Sequence, residues 1–312
     1  MQTDSHNRSA PLADLLDRWT RGTNRFDTPI NGLSLHRWEH TTEPTSYMLA
    51  PSLCLIGQGR KRLVLGDEAY DYDPATALVT SLDLPVVSNI TEATRDKPYL
   101  GLTMELDLRM IARLILEHGT EPETHSATGK KAKDKRSVAV TPFDPNLMDA
   151  FSRLLALLDQ PEDIPVLAPL IQQEICYRLL KSEHGIRLQQ MVSVGNHGYQ
   201  IARTIEWMKS NYHESVKVED LAKKAGLSIS AFHSHFRSMT AMSPLQFQKK
   251  MRLNEARRLM LTEHIDASEA AFSVGYESPS QFSREYSRLF GAPPLRDIRN
   301  LKESASLITS NG

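Results

Sequence analysis

Gly275-Tyr276-Glu277-Ser278-Pro279-Ser280-Gln281-Phe282-Ser283-Arg284 carries the end of one helix and the start of the next. Gly275 can take the left-handed conformation that closes a helix. Ser278 offers its hydroxyl to the free amides of the following helix, and Pro279 suits the first helical position, where its missing N–H costs nothing. Phe282 and Tyr286 are one helical turn apart, so they share a face and are expected to pack inward. Ser280, Gln281, Arg284 and Arg288 are left on the other face. Upstream, Asp266 and Glu269 have the spacing of a capping box, which starts a short helix before Gly275. A short helix, a glycine turn and a capped second helix are the parts of a helix-turn-helix.

The same parts occur 50 residues earlier. Ser228 matches Ser278, Phe232 matches Phe282, Phe236 matches Tyr286 and Pro244 matches Pro294, while Gly226 matches Gly275 with one residue less between them. An internal repeat of this kind is read before anything else. Val218 to Ala225 is expected to be the short helix of this first unit, and Ile229 to Met239 its second helix. Ser230, His233, Ser234 and Arg237 fall on the outward face. Gln can read adenine in a major groove, and Arg can read guanine or bind phosphate, so the second unit carries the better readers.

Between the units, Ser243-Pro244 opens a helix to about Leu261, a strut of roughly 28 Å at about 1.5 Å per residue. That approaches the roughly 34 Å of one DNA turn, so such a strut can place two helices in successive major grooves on one side of a duplex. Lys249, Lys250, Arg252, Arg257 and Arg258 lie on it. They are candidates for phosphate contacts, and Arg252 and Arg257 equally for buried partners holding the two units together.

Residues from about 200 to 300 resemble the AraC/XylS-type DNA-binding domain. Arg252-Leu253-Asn254-Glu255-Ala256-Arg257-Arg258-Leu259 resembles its connecting helix, and the stretch from Gly275 to Arg284 its second-unit signature. By that resemblance Ser230, His233 and Ser234 match base-reading positions of the first unit, and Ser280, Gln281 and Arg284 those of the second. The first unit departs from the pattern by offering small or neutral side chains. Pro51-Ser52-Leu53-Cys54-Leu55-Ile56-Gly57-Gln58-Gly59-Arg60-Lys61, followed by Tyr70-Asp71-Tyr72-Asp73-Pro74, resembles the N-terminal domain of AraC-type regulators. This implies a cupin-like barrel used for sensing and dimerisation. The resemblance implies double-stranded DNA, a small-molecule effector, RNA polymerase and a second copy of the chain as partners, with no cofactor.

The residues of the N-terminal half fit a barrel. Leu53-Cys54-Leu55-Ile56, Arg62-Leu63-Val64-Leu65, Ala77-Leu78-Val79-Thr80 and Pro85-Val86-Val87 are short apolar runs separated by Gly57, Gly59, Gly66-Asp67 and Asp73-Pro74, a pattern of short strands and turns. Trp38, Tyr47, Cys54 and Tyr72 are candidates for an effector pocket, with core packing the alternative for each. Leu147, Phe151, Leu154, Leu155 and Leu158 form one helical stripe, and Leu167, Ile171, Ile175 and Leu179 another, broken between by Pro161 and Pro165. The fold class expected is α+β: a cupin-like β-barrel with flanking helices in residues 1–185, a linker at 186–198, an all-α domain of two helix-turn-helix units joined by a long helix at 199–302, and a tail at 303–312.

Composition excludes several classes. Of the 312 residues 40% are hydrophobic and 24% charged, enough to bury cores. No apolar run is long enough to span a membrane, and the polar N-terminus lacks a signal segment. Only Cys54 and Cys176 are present, which fits a cytoplasmic protein without a disulfide frame. Residues 196–302 carry 16 Lys plus Arg against 11 Asp plus Glu, a net +5, and the remainder a net −6. A basic part on an acidic body suits an anionic partner. The stretch Lys130, Lys131, Lys133, Lys135 and Arg136 is either a DNA contact or a solvated loop.

A regulator rather than an enzyme is expected. No phosphate-cradling glycine loop, zinc spacing or Ser-His-Asp context occurs. The alternative is a metal-dependent cupin enzyme with an accessory DNA-binding domain. It would draw its ligands from His36, His40, Glu39 and Glu43, although no His-x-His pair is present. A DNA-binding protein without a ligand is a third reading. Cys54 is either a sensor thiol or a packed side chain.

Overall fold

The computed structural model describes residues 10–118, 136–142, 144–182, 185–192 and 196–309. Among these, ten strands form two antiparallel sheets. They are β1 (Arg25–Asp27), β2 (Leu33–Trp38), β3 (Thr45–Leu49), β4 (Ser52–Gln58), β5 (Arg60–Leu65), β6 (Glu68–Tyr72), β7 (Thr76–Thr80), β8 (Leu84–Glu92), β9 (Tyr99–Glu105) and β10 (Val138–Pro142). One sheet has the order β1-β2-β9-β4-β7-β10, the other β3-β8-β5-β6. They face each other as a two-sheet barrel.

Period-2 alternation explains why both faces of the larger sheet are apolar. On β4, Leu53 and Leu55 join a core shared with helices, whereas Cys54 and Ile56 join the core inside the barrel. The helices outside are α1 (Ala10–Thr20), α2 (Leu108–His118), α3 (Pro145–Ala156) and α4 (Ile164–Lys181). The polar-looking N-terminus thus contributes a helix, with Leu12 and Leu16 fully buried. The first expected stripe is buried, with Leu147, Phe151, Leu154 and Leu155 on α3 and Leu158 in the single turn that follows it. In α4 the second is shifted: Ile164, Ala168, Ile175 and Leu179 are buried, and Leu167 is exposed. Pro165 lies in the first turn of α4, not between the helices.

The stretch expected as a linker holds a helix. Residues Gly185–Val192 form a helix, α5. Its Leu188 packs into the core outside the barrel, and its Met191 into the core inside it. Lys130, Lys131, Lys133 and Lys135 lie outside the described residues.

The C-terminal part is helical: α6 (His197–Ser210), α7 (Val218–Lys224), α8 (Ile229–Thr240), α9 (Pro244–Thr262), α10 (Ala267–Ser273), α11 (Pro279–Phe290) and α12 (Pro294–Thr309). The stretch expected as a tail thus begins within α12. The apolar interior does not divide where the chain leaves the barrel. One core runs from the barrel interior through Ile201, Phe232, Phe236 and Phe247 to Met251 of α9. The next begins at Leu253 of the same helix and includes Ala270, Phe282, Tyr286 and Ile298.

Candidate nucleic-acid interface and barrel interior

Each unit is built by local chemistry that the sequence announces. Ser228 caps α8 by accepting from the Ala231 amide at 3.3 Å, and Ser278 caps α11 by accepting from Gln281 N at 3.4 Å. Gly226 and Gly275 close the short helices at φ 66° and 83°. At Gly275 a Cβ would stand 2.2 Å from the His213 carbonyl oxygen, so the turn requires glycine. Asp266 caps α10 by accepting from Ser268 N and Glu269 N at 2.7 and 2.8 Å. The two-way box formed by side chain and amide occurs instead at Ser243 and Gln246, where α9 starts. A further pair completes the repeat: Ala241 and Gly291, again 50 apart, end α8 and α11 in the left-handed region at φ 59° and 78°.

Phe232, Phe236, Phe282 and Tyr286 are buried, as the inward faces require. Ser230, His233, Ser234 and Arg237 on α8, and Ser280, Gln281, Arg284 and Arg288 on α11, are all exposed. Arg284 and Arg288 make no ion pair among the described residues. Gln281 donates to Glu285 Oε1 at 3.4 Å, and Glu285 also pairs with Lys249 at 3.2 Å. Helix α11 therefore presents Arg284 unengaged and Gln281 loosely held.

The strut α9 spans the 19 residues expected of it, but its cations are largely engaged within the protein. Arg252 donates to the carbonyls of Tyr212, Gly275, His213 and Glu214 at 2.6 to 3.2 Å, tying the loop before α7 to the second unit's turn. Arg257 forms a two-pronged pair with Asp297 of α12, both contacts at 2.8 Å. Tyr286 donates to the same carboxylate at 2.7 Å. Arg258 pairs with Glu255 and Glu263, and burial pulls the Lys250 ammonium's pKa down. Of the two readings open for Arg252 and Arg257, the structure selects the internal one.

The barrel is seated on the first unit. Ser137 N donates to the Met239 carbonyl at 3.2 Å, Lys209 pairs with Asp83 at 2.7 Å, and Arg136 pairs with Glu68 while reaching the Arg237 carbonyl at 3.4 Å. On α9, Asn254 Nδ2 donates to Ser46 Oγ at 3.4 Å and Arg257 to the Ser46 carbonyl at 3.3 Å.

Inside the barrel, Cys54 and Tyr72 are buried core members, with Trp38 and Tyr47 packed against them. The Cys54 thiol lies 3.8 Å from Ser52 Oγ and 3.7 Å from Thr103 Oγ1. Cys176 sits in the other core, where burial pushes its thiol up to about 12. Three residues not singled out as pocket candidates also line the interior: Lys61, Tyr99 and His36. The signal for Lys61 lay in its alternation with Leu63 and Leu65, which places it on the inward face of β5. His36 contacts Ser34 Oγ at 3.2 Å and His40 is exposed beside Trp38. No group of three His, Cys, Asp or Glu side chains comes together among the described residues.

Burial, with Lys61 and Arg25 nearby, holds the His36 imidazole down at about 3. The unfolded chain takes up a proton there near its ordinary 6.5 and the folded chain does not. Stability linked to His36 is therefore complete above pH 6.5 and declines as pH falls toward 3. Between pH 7.5 and 5 the loss is expected to reach about 2 kcal/mol. Chemical denaturation of wild type and His36→Asn at both pH values checks this; an equal loss in both proteins contradicts it.

Comparison with known proteins agrees with this architecture. The AraC-type transcriptional regulator N-terminus family matches residues 29–187, and a helix-turn-helix domain family matches residues 221–300. The first match covers half of the chain, which belongs to the AraC-type transcriptional regulators. Thermoregulatory protein LcrF of Yersinia pestis is 25% identical over 170 residues, covering 54% of this chain and 62% of LcrF. The virulence regulon transcriptional activator VirF of Yersinia enterocolitica is 26% identical over 153 residues, covering 49% and 56%. The chain thus spans under two thirds of the length of these curated relatives. Among solved structures, an apo ToxT variant from Vibrio cholerae superposes with a TM-score of 0.58 at 10% identity, over 87% of this chain and 98% of ToxT, a likeness of fold. No helix among the described residues is long and apolar enough to cross a membrane.

Proposed function

We propose that the chain is a cytoplasmic, sequence-specific DNA-binding transcription regulator. Its two helix-turn-helix units would read adjacent major-groove segments, and its barrel would take a small-molecule effector. The observation that carries the reading is the pair of exposed polar helix faces on α8 and α11, at matched positions either side of the rigid strut α9. Ser230, His233, Ser234 and Arg237 form the first face. Ser280, Gln281, Arg284 and Arg288 form the second, and by side-chain chemistry it contributes more of the readout.

The effector reading is favoured by the interior position of Trp38, Tyr47, Cys54 and Tyr72. In the same fold, ToxT has been solved with an unsaturated fatty acid bound. A second copy of the chain would meet α4, whose Val166, Leu170 and Tyr177 form a stripe 67, 59 and 38% exposed. RNA polymerase would be a further protein partner.

Selection of duplexes from a random library followed by footprinting tests the reading. The expected result is an enriched motif with two protected major-groove segments on one face, about 34 Å apart. Failure to enrich any motif, or protection of one segment only, contradicts it.

A further inference from the structure

Lys61 stands inside the barrel and forms no ion pair with a carboxylate among the described residues. It is in register with Tyr72 of β6 and Ile90 of β8, both buried. Its ammonium lies 5.8 Å from the Tyr47 ring centroid. Arg60 and Arg62 on either side are largely exposed and pair with Asp73 and Asp71. The groups around Lys61 are instead the phenols of Tyr47 and Tyr99 and the Cys54 thiol. His36 nearby is uncharged. A cation withdrawn from most of its water without a counter-ion is costly, and a bound anion would offset that cost.

The charge persists. Burial works to lower the Lys61 pKa, the charge that Tyr47, Tyr99 and Cys54 carry when ionised and the hydrogen bond to Tyr47 work to raise it, and the net direction is upward. An ammonium held in that state recognises an anion; it is not a free amine that attacks carbonyl groups. The surroundings also limit ligand size. Ser34, His36, Trp38, Tyr47, Lys61 and Thr103 keep accessible surface, whereas Leu63, Leu65, Leu78, Leu84 and Val86 close the rest of the interior. The accessible surface of the interior is thus confined to one end, which suits a ring or a short chain better than a long acyl chain. One ammonium with neutral hydroxyls balances one negative charge, which favours a carboxylate over a phosphate dianion.

We propose that Lys61, with the hydroxyls of Tyr47 and Tyr99, anchors the carboxylate of a compact aryl or short-chain acid, whose body lies against Trp38. This rests on the reading of the barrel as the effector domain and names the chemistry of that effector.

The full-length protein is tested by thermal shift and calorimetry with benzoate, butyrate, methyl benzoate, phenyl phosphate and a sixteen-carbon fatty acid. Benzoate or butyrate is expected to bind, with the ester, the phosphate and the long acid at least about tenfold weaker. Lys61→Met is expected to lose acid binding by about tenfold or more, and Tyr47→Phe to weaken it less. Far-UV circular dichroism establishes that both variants fold. Equal binding of ester and acid, tighter binding of the long acid or the phosphate, undiminished binding by Lys61→Met, or no binding of any short acid overturns the proposal. DNA affinity measured on the same preparations reports the regulator reading separately. Loss of DNA binding with acid binding intact overturns that reading and leaves the carboxylate site standing.

Discussion

Asp297→Ala is expected to destabilise the second helix-turn-helix unit by about 3–5 kcal/mol. The Asp297 side chain is 9% exposed and the Arg257 side chain 12%, so the substitution strands a guanidinium in the interior. It also removes the acceptor of the Tyr286 hydroxyl at the junction of α9, α11 and α12. Arg257 stays over the Phe290 ring, 4.4 Å from its centroid, which supplies little in place of a counter-charge. Arg257→Met combined with Asp297→Leu removes both charges and is expected to cost far less than either single change, because an apolar pair of similar volume often substitutes for a buried ion pair. Hydrogen exchange of α11 amides is the direct measurement. A loss below about 1 kcal/mol in Asp297→Ala, within the ordinary range for exposed pairs, would show that the network does not hold the unit.

The second large effect concerns recognition. Arg284→Ala is expected to reduce discrimination between the selected site and random DNA by about 10- to 100-fold, the 1–3 kcal/mol of one bidentate base contact. Arg288→Ala, if Arg288 only binds phosphate, is expected to weaken both sites alike and to reduce the salt dependence by about one charge. Substituting Ser230 or Ser234 should change discrimination less, since a small hydroxyl makes a single bond to either member of several base pairs. Competition binding at fixed salt separates the cases. An unchanged ratio in Arg284→Ala removes α11 from the reading of sequence.

How much was legible differs between the halves for a physical reason. In the C-terminal part structure is set by contacts a few residues apart. Ser228, Ser243, Asp266 and Ser278 each cap the helix that their sequence position announces. In the barrel, four strands showed as apolar runs, but β2, β3 and β6 mix polar residues into their inner faces and did not stand out. Lys61 was hidden in this way, since Arg60-Lys61-Arg62 reads as a charged turn until strand alternation separates the middle residue from its neighbours. The fate of the cations on α9 was undecidable because the acceptors of Arg252 lie 23 to 40 residues away, and they are backbone carbonyls that no sequence pattern marks.

The division of the interior at Met251 and Leu253 has a consequence for how the molecule comes apart. Cooperative unfolding units follow shared cores rather than covalent order. The barrel and the first unit should therefore melt as one block, with the second unit as another and the boundary inside a continuous helix. A molecule bound in the barrel adds its free energy to the first block alone. Hydrogen exchange with such a molecule present should slow the amides of α8 and leave those of α11 nearly unchanged. The weaker reader would then be the one the barrel governs most, and the stronger reader would feel it chiefly through the contacts of Asn254 and Arg257 with Ser46.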